Sequence, residues 1–160
     1  MKAESSKHYE LSRRIICCAG LSALFLAACE AKPMTLNFDV TVFSYLDRPI
    51  FDIYISDQLG TSTRPYPATG GGTITGVSLP AGPQKVVWTL DGPEGKPRNG
   101  EVITAKNLPL IKDEARNFRH LMLHIYPDDT VELTFSERYS SQPSARGEVE
   151  IEKIRRKNGK

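Results

Sequence analysis

Apolar and polar residues alternate in several runs between residues 35 and 136. Alternation with β-branched and aromatic residues is typical of half-buried strands, because successive side chains of a strand point to opposite faces of the sheet. The first run, TLNFDVTVFSYL, predicts one face formed by Leu36, Phe38, Val40 and Val42. Six further runs have the same character: PIFDIYIS, GTITGVSLP, QKVVWTL, GEVITA, RHLMLHIY and TVELTFSE. The sequence therefore predicts seven strands.

Turn-forming residues separate these runs and limit the possible folds. The segments LDRP, ATGGG, LPAGP, DGPEGKPRNG and YPDD are rich in Gly, Pro and Asp, which favour tight turns. YPDD lies between two alternating runs and predicts a hairpin. We expect a mostly β domain over residues 35–152, either a small antiparallel, immunoglobulin-like β-sandwich or a barrel-like fold.

Within the runs, the alternation also predicts which side chains share the core face. The predicted sets are Phe51, Ile53 and Ile55; Leu121, Leu123 and Ile125; and Val131, Leu133 and Phe135.

Two segments depart from the simple pattern. LPLIKDEARNF, residues 108–118, is compatible with one short helix or a crossover loop. RGEVEIEKIRRKNGK starts as an alternating strand and ends with basic residues. We expect residues 153–160 to form a solvated basic tail that carries Arg155, Arg156, Lys157 and Lys160.

The N-terminus has the organisation of a signal peptide. Four basic residues lie in the first 14 positions, and the uncharged segment from Ile15 to Ala28 follows. A membrane-spanning helix needs about 20 apolar residues, so this segment is too short to span and suits the apolar region of a secretory signal.

The end of that segment, Leu26-Ala27-Ala28-Cys29, resembles the bacterial lipobox. The resemblance implies cleavage after residue 28, acylation of Cys29 and a tether over residues 29–34. Glu30 after the cysteine favours the outer membrane over the inner, on the periplasmic face. The alternative is an ordinary secretory signal followed by a free thiol. Stable anchoring of this kind needs more than one acyl chain.

Removal of the signal changes the charge and the cysteine count. The full chain has 21 basic and 19 acidic residues. The signal contains four of the basic and two of the acidic residues, so the mature chain has 17 of each. A net charge of zero provides no bulk attraction for nucleic acid. Cys17 and Cys18 leave with the signal, so the mature chain has no disulfide, and we expect no metal and no cofactor.

No group of residues in the sequence predicts catalysis. His120 and His124 would lie about 13 Å apart in a strand and cannot share one metal ion. Asp128 and Asp129 fall in a predicted turn, and Trp88 lies in an alternating run where core packing is the default. There is no G-x-S-x-G motif. We therefore expect a binding protein and no enzyme.

Two long loops are the candidates for binding. Residues 56–72 and 91–100 are long for a small β domain, and long ordered loops often carry function, although the first is equally compatible with a mobile loop. They contain Arg and Tyr, which are enriched at binding hot spots. The predicted partner-binding residues are Arg64, Tyr66, Lys96 and Arg98.

The order of these features resembles a known family. DVTVFSYLDRPI, a triple glycine, VSLPAGPQKVVWTLDGPEGKPRNGE and LMLHIYPDDTVEL follow the lipobox in turn. The chain is similar over about residues 38–135 to small proteobacterial lipoproteins of unknown function. Members are often encoded beside type VI secretion phospholipase effectors, and some are regarded as their immunity proteins. The shared motifs are structural.

The resemblance implies a periplasmic lipoprotein that neutralises a phospholipase effector by stoichiometric binding. The tether of five residues between Cys29 and the first strand reaches at most about 17 Å, which would hold the domain close to the bilayer. The alternative is an envelope lipoprotein that binds cell-wall carbohydrate or an assembly partner.

Overall fold

The structure is a computed structural model that describes residues 34–64, 72–157 and 159. Within these residues the chain forms ten strands, a 3₁₀ helix over Asp113–Asn117 and the α-helix α1 (Ala145–Lys157). The strands are β1 (Thr35–Ser44), β2 (Ile50–Ile55), β3 (Gln58–Leu59), β4 (Thr73–Pro80), β5 (Gly82–Pro83), β6 (Val86–Leu90), β7 (Val102–Thr104), β8 (Leu110–Ile111), β9 (His120–Ile125) and β10 (Val131–Ser136).

The strands form two main sheets. Sheet A has the order β10-β9-β1-β4, and sheet B has the order β3-β2-β6-β7, while β5 and β8 form a short pair. The small β-sandwich is confirmed, and each of the seven predicted runs contains a strand. These strands are β1, β2, β4, β6, β7, β9 and β10. The sheets of the described residues do not close into a barrel.

One pairing in sheet A joins distant parts of the chain. β1 and β9 run parallel, with Asp39 opposite His120 and Ser44 opposite Ile125. The other pairings within the two main sheets are antiparallel. β1 therefore lies between the early strand β4 and the late strand β9.

The inner faces of both sheets meet in one apolar core. Trp88 of β6, Ile53 of β2 and Leu121 of β9 are each fully buried in it. Complete burial of side chains of this size contributes about 1.5–3 kcal/mol each. The predicted core faces of β1, β9 and β10 are confirmed, with Leu133 and Phe135 partly buried at the margin.

The predicted hairpin at YPDD is also confirmed. β9 and β10 are antiparallel, and the N–H of Tyr126 donates to the carbonyl oxygen of Thr130 at 3.0 Å. Asp129 adopts a φ of 63°, and the Asp128 carboxylate accepts bonds from the hydroxyl and N–H of Thr130 at 2.6 and 3.2 Å. The bond from the Thr130 hydroxyl is the largest cause of the lowered pKa of Asp128.

The prediction for Phe51 was wrong. Ile53 and Ile55 point into the core as expected, but Phe51 is 61% exposed. The ladder between β2 and β6 shifts register between Ile50 and Ile53, which is the effect of a bulge. Ile50 takes the buried position instead, and Phe51 faces the opposite side of sheet B.

The C-terminal prediction of a strand was also wrong. Residues 145–157 form α1, and Arg155, Arg156 and Lys157 are exposed in its last turn instead of in a separate tail. The hydroxyl of Ser144 accepts the N–H of Gly147 at 3.0 Å, as an N-cap does. The 3₁₀ helix shows that residues 108–118 contain the short helix that was one of the two expectations.

Candidate protein-binding surface

The outer face of sheet B exposes apolar side chains. Phe51 is 61% exposed, Tyr54 40% and Val102 63%, whereas their neighbours Ile53 and Ile103 are buried. We call the surface formed by the outward residues of β2, β6 and β7 the sheet B face. It consists of Phe51, Tyr54, Val87, Thr89, Val102 and Thr104.

The ladder places five of these residues beside one another, and Phe51 lies at the bulge of β2. Tyr54 lies opposite Val87, which lies opposite Thr104, and Val102 lies opposite Thr89. Cross-strand neighbours are in direct side-chain contact range, so these residues form adjoining rows on one face. Exposed contiguous apolar patches of this kind mark protein-binding sites, so the sheet B face is the first candidate.

Two loop segments that the sequence analysis selected border the start of β2. Ile50 and Thr63 exchange backbone hydrogen bonds at 3.0 and 3.1 Å, which places the exposed Arg64 next to this end of sheet B. The N–H of Asp91 donates to the carbonyl oxygen of Pro49 at 3.0 Å. The residues 61–64 and 91–100 therefore approach sheet B at the same end.

The loop of residues 91–100 is tied to the turn between β1 and β2. Nη2 of Arg48 donates to the carbonyl oxygen of Pro97 at 2.8 Å, and Nζ of Lys96 donates to that of Asp47 at 3.4 Å. Arg48 is 9% exposed, and its Nη1 atom is buried without a hydrogen-bond partner. The loop is thereby held in place by a buried arginine.

Arg98 makes an ion pair within its own loop. Its Nε and Nη2 atoms donate to the two carboxylate oxygens of Glu101 at 2.6 and 3.0 Å. The bond to Glu101 raises the pKa of Arg98, and the bond to Arg98 lowers the pKa of Glu101. Both side chains remain about half exposed. Arg98 therefore presents a largely neutralised pair, whereas Nζ of Lys96 forms no ion pair with any residue that the structure describes.

The structure thus brings Arg64, Lys96 and Arg98 to one end of sheet B. Tyr66, the lipobox residues Leu26, Ala27 and Ala28, and Cys29 lie outside the described residues.

The two histidines lie on the outer face of sheet A, opposite Leu121 and Leu123, as expected. His124 is completely buried in a column of stacked side chains. Phe43 stacks on His124 at 5.0 Å between ring centroids, His124 on Tyr45 at 6.1 Å and Tyr45 on Tyr126 at 5.1 Å. The guanidinium of Arg146 lies 3.7 Å from the centre of the Tyr126 ring. We call these five residues the aromatic column.

Hydrogen bonds fix the column. Nδ1 of His124 is bonded to the Tyr45 hydroxyl at 3.0 Å, and Nε2 to the Thr134 hydroxyl at 2.9 Å. Burial lowers the pKa of His124 to about 4 and raises the pKa of Tyr45 to about 12. The rings of the column are therefore an enclosed support for α1, and His124 at its centre is closed to a ligand.

A second polar row crosses the same face. Asp39, His120 and Ser136 lie in register on β1, β9 and β10. Asp39 and Ser136 hydrogen-bond to other residues, and Nδ1 of His120 is buried without a hydrogen-bond partner among the described residues. The Asp39 carboxylate accepts from Nε of Arg119 at 2.8 Å, and the Ser136 hydroxyl accepts from the N–H of Arg138 at 3.2 Å. The bond from Arg119 is the main cause of the lowered pKa of Asp39. Because the three side chains are not hydrogen-bonded to one another, the row does not form a nucleophile–base relay in this conformation.

Sequence reasoning missed Tyr54 and Val102 and assigned Phe51 to the core. A signal for the first two was present: Tyr54 lies between two core isoleucines, and Val102 precedes a core isoleucine, so each occupies a position where alternation calls for a polar residue.

No protein family, curated protein or solved structure matches the chain. Among the described residues, no helix is long and apolar enough to cross a membrane. Within the same residues, no three His, Cys, Asp or Glu side chains are grouped to hold a metal ion.

Proposed function

We propose that this protein is a lipoprotein of the periplasmic face of a bacterial membrane, more specifically the outer membrane, anchored through Cys29. It binds a type VI secretion phospholipase effector and neutralises it one to one. The resemblance in sequence motifs supports the identity of the partner. The single structural observation that supports a binding function is the sheet B face, with Phe51 and Tyr54 of β2 and Val102 of β7 exposed on either side of β6.

Inhibition by binding requires the partner's active-site mouth or membrane-docking surface to be covered. A nanomolar complex corresponds to about −12 kcal/mol and an interface of about 1,600 Å² in total. The sheet B face provides aromatic anchors for the centre of such an interface. Arg64 and Lys96 provide positive charge at its edge, where charges act mainly on the association rate.

The test is calorimetric titration of the chain from Glu30 to Lys160 with the phospholipase encoded beside its gene. We expect Phe51→Ser and Tyr54→Ser each to weaken binding about thirtyfold, because truncation of a central anchor costs about 2 kcal/mol. Val149→Ser is the matched control, since Val149 is 54% exposed but lies on α1.

Absence of heat at tens of micromolar, together with unchanged lipase activity, would refute this function. Binding of the same chain to purified sacculi would then favour the envelope-binding alternative. If all three variants bind equally well, the partner is right and the sheet B face is not its contact.

A further inference from the structure

β10 forms one edge of sheet A, and a side chain already pairs with the start of that edge. Nδ2 of Asn107 donates to the carbonyl oxygen of Val131, and Oδ1 of Asn107 accepts the N–H of Val131, both at 2.8 Å. The carboxamide thus makes the two bonds that one residue of a neighbouring antiparallel strand would make. The backbone groups of Val131 must therefore point away from β9.

In an antiparallel strand the backbone N–H and C=O groups of successive residues point alternately to the two sides, so the direction at Val131 determines the direction along the rest of β10. Residues at every second position direct their N–H and C=O to the same side, so Leu133 and Phe135 also point theirs away from β9. Thr130, an even-numbered residue, points the other way: its carbonyl oxygen accepts the N–H of Tyr126, which follows β9. This bond agrees with the assignment. No described residue makes a backbone hydrogen bond to the outward side of Leu133 or Phe135.

A partly apolar groove lies beside the same two residues. It has a volume of about 410 Å³ and is lined by Phe118, Phe135, Ser136, Glu137 and Arg138. The rings of Phe118 and Phe135 are 6.1 Å apart between centroids, and both Leu133 and Phe135 are only partly buried. The open edge is therefore combined with apolar surface that an added strand would cover.

We propose that the open edge of β10 pairs with β10 of a second copy of this chain. The two strands run antiparallel about a two-fold axis at Thr134. Leu133 of each copy then lies opposite Phe135 of the other, and each of these two pairs exchanges two backbone hydrogen bonds. The result is a continuous eight-stranded sheet made of two copies of sheet A.

The geometry favours a second copy because the open stretch is self-complementary. Asn107 occupies the edge at Val131, and β10 ends at Ser136, so the register centred on Thr134 is the one that uses both open residues of both copies. In this register Glu132 of one copy faces Ser136 of the other, and no like charges meet. The side chain of Leu133 from the second copy also arrives beside Phe135 and its groove.

This dimer does not depend on the proposed function. It uses the edge of sheet A and leaves the sheet B face open in both copies, so binding of an effector and dimerisation can fail separately.

Cysteine cross-linking tests the register directly. The three cysteines of the sequence are Cys17, Cys18 and Cys29, so the chain from Glu30 to Lys160 contains none. It holds all the strands and both helices of the described fold. At the two-fold axis the Cα atoms of a non-hydrogen-bonded pair lie about 4.5 Å apart, within the range that a disulfide spans. We expect Thr134→Cys to form a covalent dimer on mild oxidation.

Ser136→Cys is the matched control. In the proposed register its two copies are separated by four residue steps, about 14 Å, which is too far for a disulfide. Equal cross-linking of both variants would overturn the register, and absence of a Thr134→Cys dimer would overturn the proposal.

The unsubstituted chain provides a measurement that does not depend on any variant folding correctly. Sedimentation over increasing protein concentration should show a monomer–dimer equilibrium. Hydrogen exchange at the amides of Leu133 and Phe135 should slow as the dimer population rises. Thr134→Lys should weaken the dimer at least about tenfold through like charges at the axis, whereas Ser136→Lys should not.

A monomer at every concentration would refute the dimer. If those two amides became protected only after the phospholipase was added, the edge would belong to a strand of the phospholipase, which would also refute the dimer.

Discussion

Gly147 lies against the ring of Tyr45, where α1 meets the end of β1. A Cβ on Gly147 would overlap the hydroxyl oxygen and Cζ of Tyr45 and approach Cε1 to 3.0 Å. Tyr45 cannot move away freely, because its ring is stacked between His124 and Tyr126. The absence of a side chain at residue 147 therefore allows α1 to dock on the aromatic column.

We expect Gly147→Ala to destabilise the protein by about 2 kcal/mol. Alanine is the better helix former by about 1 kcal/mol, but the overlap with a rigid buried ring costs more than this gain. Urea unfolding measures the change. Val149→Ala, at an exposed position of the same helix, should change the stability by less than about 0.5 kcal/mol. A stabilised Gly147→Ala variant would show that α1 does not dock as described.

Stability should fall as the pH drops from about 6.5 to 4 because of His124. Its pKa is about 4 in the folded protein, below the ordinary value of 6.5, so the unfolded chain takes up the proton first. The stabilisation is fully present above pH 6.5 and is lost as the pH falls towards the folded pKa. The total loss is about 3 kcal/mol.

The pH effect can be assigned with two substitutions. His124→Gln removes the titrating group and should flatten the dependence of unfolding free energy on pH in this range, at some cost in stability. His120→Gln should leave the dependence in place. If the slope survives in His124→Gln, it arises from another group.

Asp57→Gly should stabilise the hairpin between β2 and β3. Ser56 and Asp57 form its two-residue turn with φ values of 44° and 65°, a conformation in which glycine avoids the clash of a side chain. We expect a gain of about 0.5–1 kcal/mol in thermal unfolding. Asp57→Ala should have the opposite sign, because aspartate tolerates this backbone region better than alanine does. Stabilisation by both would point to the lost charge instead.

Cys29→Ser should abolish fatty-acid labelling of the chain and leave unprocessed precursor. This prediction depends on Leu26-Ala27-Ala28-Cys29 at the end of the uncharged segment. Metabolic labelling with a fatty acid and membrane fractionation are the measurements. Labelled, membrane-bound mature protein in the Cys29→Ser variant would contradict it.

Much of the sandwich was predictable because alternation is a local property. In the run that contains Leu36 and Phe38, the alternation identifies the buried side chains whichever strand this run pairs with. The parallel contact of Asp39 with His120 was not predictable, because pairing between distant segments leaves no mark in either one. α1 was missed because Val149 and Ile151 fit a period of two, whereas the more buried side of the helix is formed by Gly147, Ile151 and Ile154 at helical spacing. Ion pairs from Glu150 to Lys153 and from Glu152 to Arg156 support the helix.

The candidate surface was only partly predictable for a similar reason. The loop charges at Arg64, Lys96 and Arg98 were correctly expected to be exposed. Phe51 was assigned to the wrong face because a single bulge reverses the facing of every residue before it, and a bulge is set by the partner strand. The sequence did not indicate the dense packing around His124, because the outer side of β9 is covered there by Phe43, Tyr45 and Tyr126, which come from other segments of the chain.

The parallel pairing of β1 with β9 also affects when the chain can fold. β1 is the first of the described strands to be synthesised, and one of its two neighbours lies about eighty residues later in the sequence. Contacts of such long sequence separation slow folding, because the intervening loop must be closed before they form. Sheet A therefore cannot be completed until most of the chain is available. For a chain that crosses a narrow secretion channel, as the N-terminal sequence predicts, this delay favours passage in an extended state and assembly on the far side.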